Sequence, residues 1–125
     1  MGLAVPGATA AVSSSSQAPH TVSAKASRWH CTGKKMKRCI TKVAENKVKV
    51  TFQNMTDTSV KGPYGIVCLG PGGQWFNTLH KGSIGAHESW ASKTFTCKKR
   101  FNDGARGFKQ TYGTGPYLFT PTITI

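Results

Sequence analysis

KVKVTFQ, Lys47 to Gln53, decides the fold class. Val48, Val50 and Phe52 alternate with Lys47, Lys49, Thr51 and Gln53. A period of two sends successive side chains to opposite faces of an extended chain, so one face here is apolar and the other cationic and polar. The segment reads as a half-buried strand with lysines on its outer side.

Working outward from it, the chain repeats the same theme. Asn54 to Ser59 (NMTDTS) is turn-forming and Gly62-Pro63 punctuates again before Tyr64 to Leu69 (YGIVCL), a second strand. Gly70-Pro71-Gly72-Gly73 turns the chain into a short strand over Gln74 to Leu79. Ser89 to Phe101 is strand-like, with Phe95, Cys97 and Phe101 on one face, and Asn102-Asp103-Gly104 suits a hairpin turn leading back along Gly107 to Tyr112. After a turn at Gly113-Thr114-Gly115-Pro116, Tyr117 to Ile125 forms the last strand, with Tyr117, Phe119, Ile123 and Ile125 on one side. Pro121 has no N–H for a ladder, which places that strand at an edge or bulges it there. Upstream, Arg38 to Ala44 (RCITKVA) has the length and mixture for a turn or two of helix, and no stretch supports a full amphipathic helix. Six or seven short strands with turns between them predict an all-β fold, a small antiparallel β-sandwich.

Charge and cysteine content bound what such a fold can be. The 125 residues carry seventeen Lys and Arg against four Asp and Glu, a formal charge of +13. All seventeen basic residues fall between Lys25 and Lys109, and the composition changes near residue 24. This divides the chain into an Ala/Ser-rich leader, residues 1–24, and a basic β-sandwich domain, residues 25–125. Leu3 to Val12 is a short apolar run, and Ala8-Thr9-Ala10 fits the small-x-small rule of signal cleavage, although the basic n-region is missing. The leader therefore reads as a clipped signal peptide, with a disordered Ala/Ser-rich tail as the alternative, and the expected location is extracellular. Pro6, Gly7 and Ser13–Ser16 interrupt any span long enough to cross a membrane.

Cys31, Cys39, Cys68 and Cys97 allow three pairings, of which Cys31–Cys39 with Cys68–Cys97 is the simplest. Two bridges would stabilise a domain of this size by as much as its whole margin, roughly 2–4 kcal/mol each. His30, Cys31 and Cys39 are the competing zinc ligands, but no C-x2-C or H-x3-H spacing accompanies them, so structural disulfides are expected and no metal or cofactor.

The basic residues form two groups. Lys34, Lys35, Lys37, Arg38, Lys42, Lys47 and Lys49 crowd residues 34–49 with Glu45 as the single acid, and Lys98, Lys99, Arg100, Arg106 and Lys109 surround the Asn-Asp-Gly turn. The asymmetry exceeds what solubility requires and points to an acidic partner, either a protein or an anionic envelope polymer. Nucleic acid fits less well. Trp29, Trp75, Phe76 and Trp90 are stacking candidates, yet they also suit a small core, and no nucleic-acid-binding motif is present. For catalysis the available groups are His30, His80, His87, Glu88, Arg100 and Arg106, the makings of a ribonuclease without a recognisable spacing. There is no G-x-S-x-G and no phosphate loop. Asn54-Met55-Thr56 is an N-glycosylation sequon.

An Ala/Ser-rich leader, a polar arm from Ser13 to Arg28 and a two-disulfide basic β-domain together resemble small secreted actinobacterial proteins, including the adaptor subunit of the Streptomyces umbrella toxin particles. The likeness is one of outline, not motif, and carries over no functional residue. It implies a non-enzymatic linker whose arm engages one subunit and whose β-domain meets an acidic surface on another. The expected function is therefore binding, with a stand-alone cationic antimicrobial or membrane-active toxin and a small nuclease as the alternatives.

Overall fold

The computed structural model describes residues 28–110 and 116–125. The leader at residues 1–24, Lys25 and the turn at residues 113–115 lie outside the described residues. Strands follow in the order β1 Trp29–Thr32, β2 Met36–Ala44, β3 Lys47–Asn54, β4 Val60–Lys61, β5 Tyr64–Gly70, β6 Gly73–His80, β7 Ser83–Ile84, β8 Ser89–Ala91, β9 Phe95–Thr96, β10 Gly104–Gln110, β11 Tyr117–Phe119 and β12 Ile123–Thr124. A 3-10 turn, Lys99–Phe101, precedes β10.

Two antiparallel sheets make a β-sandwich. The first runs β1-β2-β3-β8, with β9 also on β3, and the second runs β11-β10-β5-β6, with β12 also on β10. Twelve strands appear among the described residues where the turn signals suggested six or seven. The excess consists of β1, β2 and the β4–β7 ribbon, together with two expected strands that are each split, into β8 and β9 on one side of β3 and into β11 and β12 on one side of β10.

The alternation read in Lys47–Gln53 holds: Val48, Val50 and Phe52 are buried and the residues between them face outward. Inside, they meet Met36 and Ile40 of β2, and Tyr64, Ile66, Cys68 and Ala105 of the second sheet. A Cβ on Gly107 would lie 2.9 Å from Val50 Cγ1 and 2.9 Å from Thr120 Cγ2, so β10 can cross β3 closely only because that position is glycine. The two-stranded ribbon of β4 and β7 caps one end, packing Val60 and Ile84 on the core. Asn46, in the β2–β3 hairpin, takes a positive φ of 61°, a conformation its residue type tolerates.

Four expectations change. Arg38 to Ala44 is strand, not helix: Ile40, Thr41 and Val43 are β-branched, and β2 is paired on both sides, to β1 and β3. Ser89 to Phe101 is not one strand, and Asn102–Gly104 does not fold it back as a hairpin. That segment crosses between sheets. β8 and β9 pair with β3, separated where Ser92 Oγ accepts from Val50 N at 3.0 Å, and the 3-10 turn then carries the chain to β10 against β5. Asp103 N donates to Leu69 O at 2.9 Å, which starts the new pairing. Tyr117 to Ile125 breaks at Pro121 as the missing N–H required, and the break changes the face. Tyr117 and Phe119 point outward, whereas Ile123 and Ile125 pack on the core.

The sequon is spent on structure. Asn54 is 0% exposed, and its Nδ2 donates to Thr58, Ile84 and Gly85 carbonyls while Oδ1 accepts from Thr56 N and Oγ1. A glycan has no room there.

All four cysteines are paired, Cys31–Cys39 and Cys68–Cys97. Cys31 and Cys39 face each other directly across β1 and β2, and their bond takes both sulfurs away from the alternative zinc site. Two bridges suit an oxidising, extracellular-type environment. Among the described residues, no helix is long and apolar enough to cross a membrane.

Candidate cationic binding surface

Strand parity distributes the basic residues over the molecule. Lys37, Lys47 and Lys49 share the outer face of the first sheet with the Cys31–Cys39 bridge, because each stands at a position whose neighbours in sequence turn inward. Lys34 and Lys35 extend this surface from the exposed turn between β1 and β2. Lys42 is half-buried near the far end of β2.

The second group of basic residues approaches that same end. Cys97 N donates to Asn46 O at 2.8 Å, and Lys47 Nζ donates to Thr96 Oγ1 at 3.3 Å. These contacts bring the start of the exposed run Lys98-Lys99-Arg100 beside the β2–β3 hairpin, and the run continues to the β5–β6 turn, where Arg100 O accepts from Gly72 N at 3.0 Å. The tertiary fold thus brings the start of the second basic cluster next to Lys47 of the first, about fifty residues away in sequence. Lys98 Nζ sits 4.5 Å above the Trp75 ring, a cation–π contact that orients it without neutralising it.

Three of the expected residues fall elsewhere. Arg38 points into the end of the sandwich, where Nε donates to Phe119 O and Nη1 to Met36 O, both at 2.9 Å. It ties β2 to β11, and burial lowers its pKa. Lys109 is 3% exposed, with Nζ donating to Gln110 O at 3.2 Å and lying 5.5 Å from the Tyr64 ring centroid. Burial lowers the Lys109 pKa and pushes that of Tyr64 up to about 12. Arg106 belongs to the outer face of the second sheet, its guanidinium carbon 3.7 Å from the Phe119 ring centroid. None of these three adds charge to the cationic face.

Among the described residues, no Lys or Arg is ion-paired with a carboxylate. The one ionisable contact of that kind is His87 Nε2 with Asp57 Oδ1 at 2.6 Å, on the surface. Glu88 gives an oxygen to Gly85 N at 3.1 Å, closing its own turn. His80 stacks on Trp90 with ring centroids 5.2 Å apart, and His30, on β1, has its pKa lowered by partial burial and then by Arg28. His87 and Glu88 thus share the loop between β7 and β8, while His30 lies on β1, His80 on β6, Arg100 in the 3-10 turn and Arg106 on β10.

The aromatic residues also divide. Trp90 packs with Phe52 and Tyr64, and Trp75 with Phe95 and Phe101, all against the core. Trp29 is exposed on the first sheet. Phe76 joins a cluster that strand spacing alone does not reveal: Phe76, Phe108, Tyr117 and Phe119 touch in sequence across the outer face of the second sheet, with centroids 5.4 to 5.7 Å apart. Phe108 reaches Phe76 by lying over Gly65, where a Cβ would meet the Phe108 ring at 2.8 Å. Alternation in Gln74-Trp75-Phe76 and Tyr117-Leu118-Phe119 was the available signal. It could not be oriented, because both faces of β5 are apolar.

The molecule thus has two unlike outer faces, one cationic and one aromatic. Comparison with protein families, curated proteins and solved structures found no match for this chain.

Proposed function

We propose that this is a secreted, non-catalytic binding protein whose lysine-bearing face docks on an acidic protein or an anionic envelope polymer. Of the seventeen Lys and Arg, all but Lys25 lie in the described residues, and none of those is ion-paired with a carboxylate. That observation carries the reading. Unpaired cations keep their full field, which speeds encounter with an opposite charge and gains further when the contact excludes water. A rigid sheet holds Lys37, Lys47 and Lys49 in fixed relation, so the field has a shape rather than only a magnitude. The paired cysteines favour an extracellular setting, and an adaptor role in an extracellular, antagonistic assembly is the context this surface suits best.

The test compares equal charge reversals at two places. Binding to immobilised poly-glutamate and to a glycerol-phosphate polymer is measured for Lys47→Glu, Lys49→Glu and Lys61→Glu across a salt series. The face variants are expected to weaken binding about tenfold and Lys61→Glu by less than about twofold. Equal losses at all three positions would mean that net charge alone acts, and the docking face would be abandoned.

A further inference from the structure

The four edges of the sandwich are not equally protected. β1 has four residues. The edge formed by β8 and β9 is interrupted between Ala91 and Phe95, and that of β11 and β12 at Pro121. β6 alone is an eight-residue edge strand, GQWFNTLH, with no Lys, Arg or Pro in it. Long, uncharged edges invite another strand, which is why folded proteins usually blunt them.

Its free hydrogen-bonding groups follow from the ladder. Gly107 turns its N–H and C=O away from β5, donating to Thr120 Oγ1 at 2.8 Å and accepting from Thr120 N at 3.0 Å. Its partner Ile66 must then address β6, where it faces Asn77. Asn77 answers Ile66, so its neighbours Phe76 and Thr78 direct their backbone groups outward. Among the described residues, β6 pairs only with β5. Phe76 is 43% exposed on the outer face beside Tyr117, 42% exposed, which supplies an apolar contact next to the open backbone.

Charge selects the occupant. Cations stand at both ends of β6: Lys98 over Trp75 with Lys99 and Arg100 at the Gly73 end, and Lys81 directly after His80 at the other. A second copy pairing antiparallel would set Lys98–Arg100 against its partner's equivalent of Lys81, like against like. Residues 1–27 contain no Asp or Glu, so they offer these cations nothing. We propose that β6 receives an extended segment of another protein, added as an antiparallel strand, with an apolar centre over Phe76 and carboxylates at both ends. Main-chain bonds would supply affinity and the Phe76 contact and flanking charges specificity.

Three synthetic peptides test this on the full chain: Asp-Glu-Val-Thr-Val-Tyr-Val-Glu-Asp, the same peptide N-methylated at alternate amides, and a version with Lys at the four acidic positions. Fluorescence anisotropy reads affinity, and amide exchange reads protection at Phe76 and Thr78. The acidic peptide is expected to bind and protect those two amides. Methylation, which removes edge hydrogen bonds at constant charge, is expected to weaken binding about tenfold, and the lysine version to bind more weakly still. Phe76→Ala should reproduce part of the loss. Equal affinity of methylated and parent peptides would overturn strand addition while leaving the cationic face untouched, since both carry the same charge. A dimer in solution that protects the same amides would assign β6 to a second copy. Peptide binding only after deletion of residues 1–27 would assign it to the chain itself. Either outcome overturns the proposal.

Discussion

Lys109 shows how far one residue can depart from its type. Lysines are seldom fully buried, because leaving water costs the ammonium its hydration. Here β10 parity points the side chain inward opposite Tyr64, with one carbonyl as hydrogen-bond partner. The native state therefore releases the Lys109 proton below the ordinary 10.5, while the unfolded chain still holds it. Where the unfolded state binds more protons, stability rises with pH. Tyr64 works in the opposite direction. It stays neutral in the fold up to about 12 but ionises near 10.0 when unfolded, so its contribution is complete below 10.0 and is lost as pH climbs through 12. Thermal unfolding is expected to show a stability maximum near pH 10. Lys109→Met should raise stability at pH 7 by about 1 kcal/mol and flatten the rise toward that maximum. An unchanged slope between pH 8 and pH 10, measured by circular dichroism melts, would mean that Lys109 is solvated.

The two bridges serve their elements differently. Cys31–Cys39 joins opposed residues of β1 and β2 on the outer side of the first sheet, Cys31 exposed and Cys39 buried, with a sequence separation of 8. Cys68–Cys97 spans 29 residues and fastens β5, in the second sheet, to the segment that has just left β9 in the first. Chain entropy alone assigns about 2.5 kcal/mol to the shorter loop and about 3.6 kcal/mol to the longer. Cys68 and Cys97 are also core residues, so their removal costs packing besides. The pair Cys68→Ala/Cys97→Ala is therefore expected to destabilise more than Cys31→Ala/Cys39→Ala in urea titrations, by at least about 1 kcal/mol. The reverse order would show that the surface bridge, by anchoring edge strand β1, holds the first sheet together.

For the molecule as a whole, a charge of +13 with no Lys or Arg ion-paired to a carboxylate among the described residues leaves repulsion as a standing cost. Its range depends on salt: the screening length falls from about 30 Å at 0.01 M to about 8 Å at 0.15 M. Melting temperature should accordingly rise by a few degrees over that range in sodium chloride, opposite to a protein held by surface ion pairs. A flat or falling trend would indicate that bridges and core already absorb the repulsion. The same screening should weaken attachment to any acidic partner, so stability and binding are expected to respond to salt with opposite signs.

Much of this is legible in the sequence. Period-two patterning in Lys47–Gln53 announces a strand because side-chain alternation is a local property of extended backbone. Pro121 announces a break because it lacks a donor, and net charge is additive along the chain. Orientation and partnership were not legible. Ile66 and Val67 are equally apolar, and only packing against β3 decided that Ile66 faces the core. Nothing local marks Ser89–Phe101 as a crossing between sheets, since hydrogen bonds in a sheet join residues far apart in sequence. For the same reason the chain's composition determined its large positive charge, whereas the tertiary structure alone decided which lysines face outward together, that Arg38 and Lys109 turn inward, and that β6 pairs on one side only among the described residues.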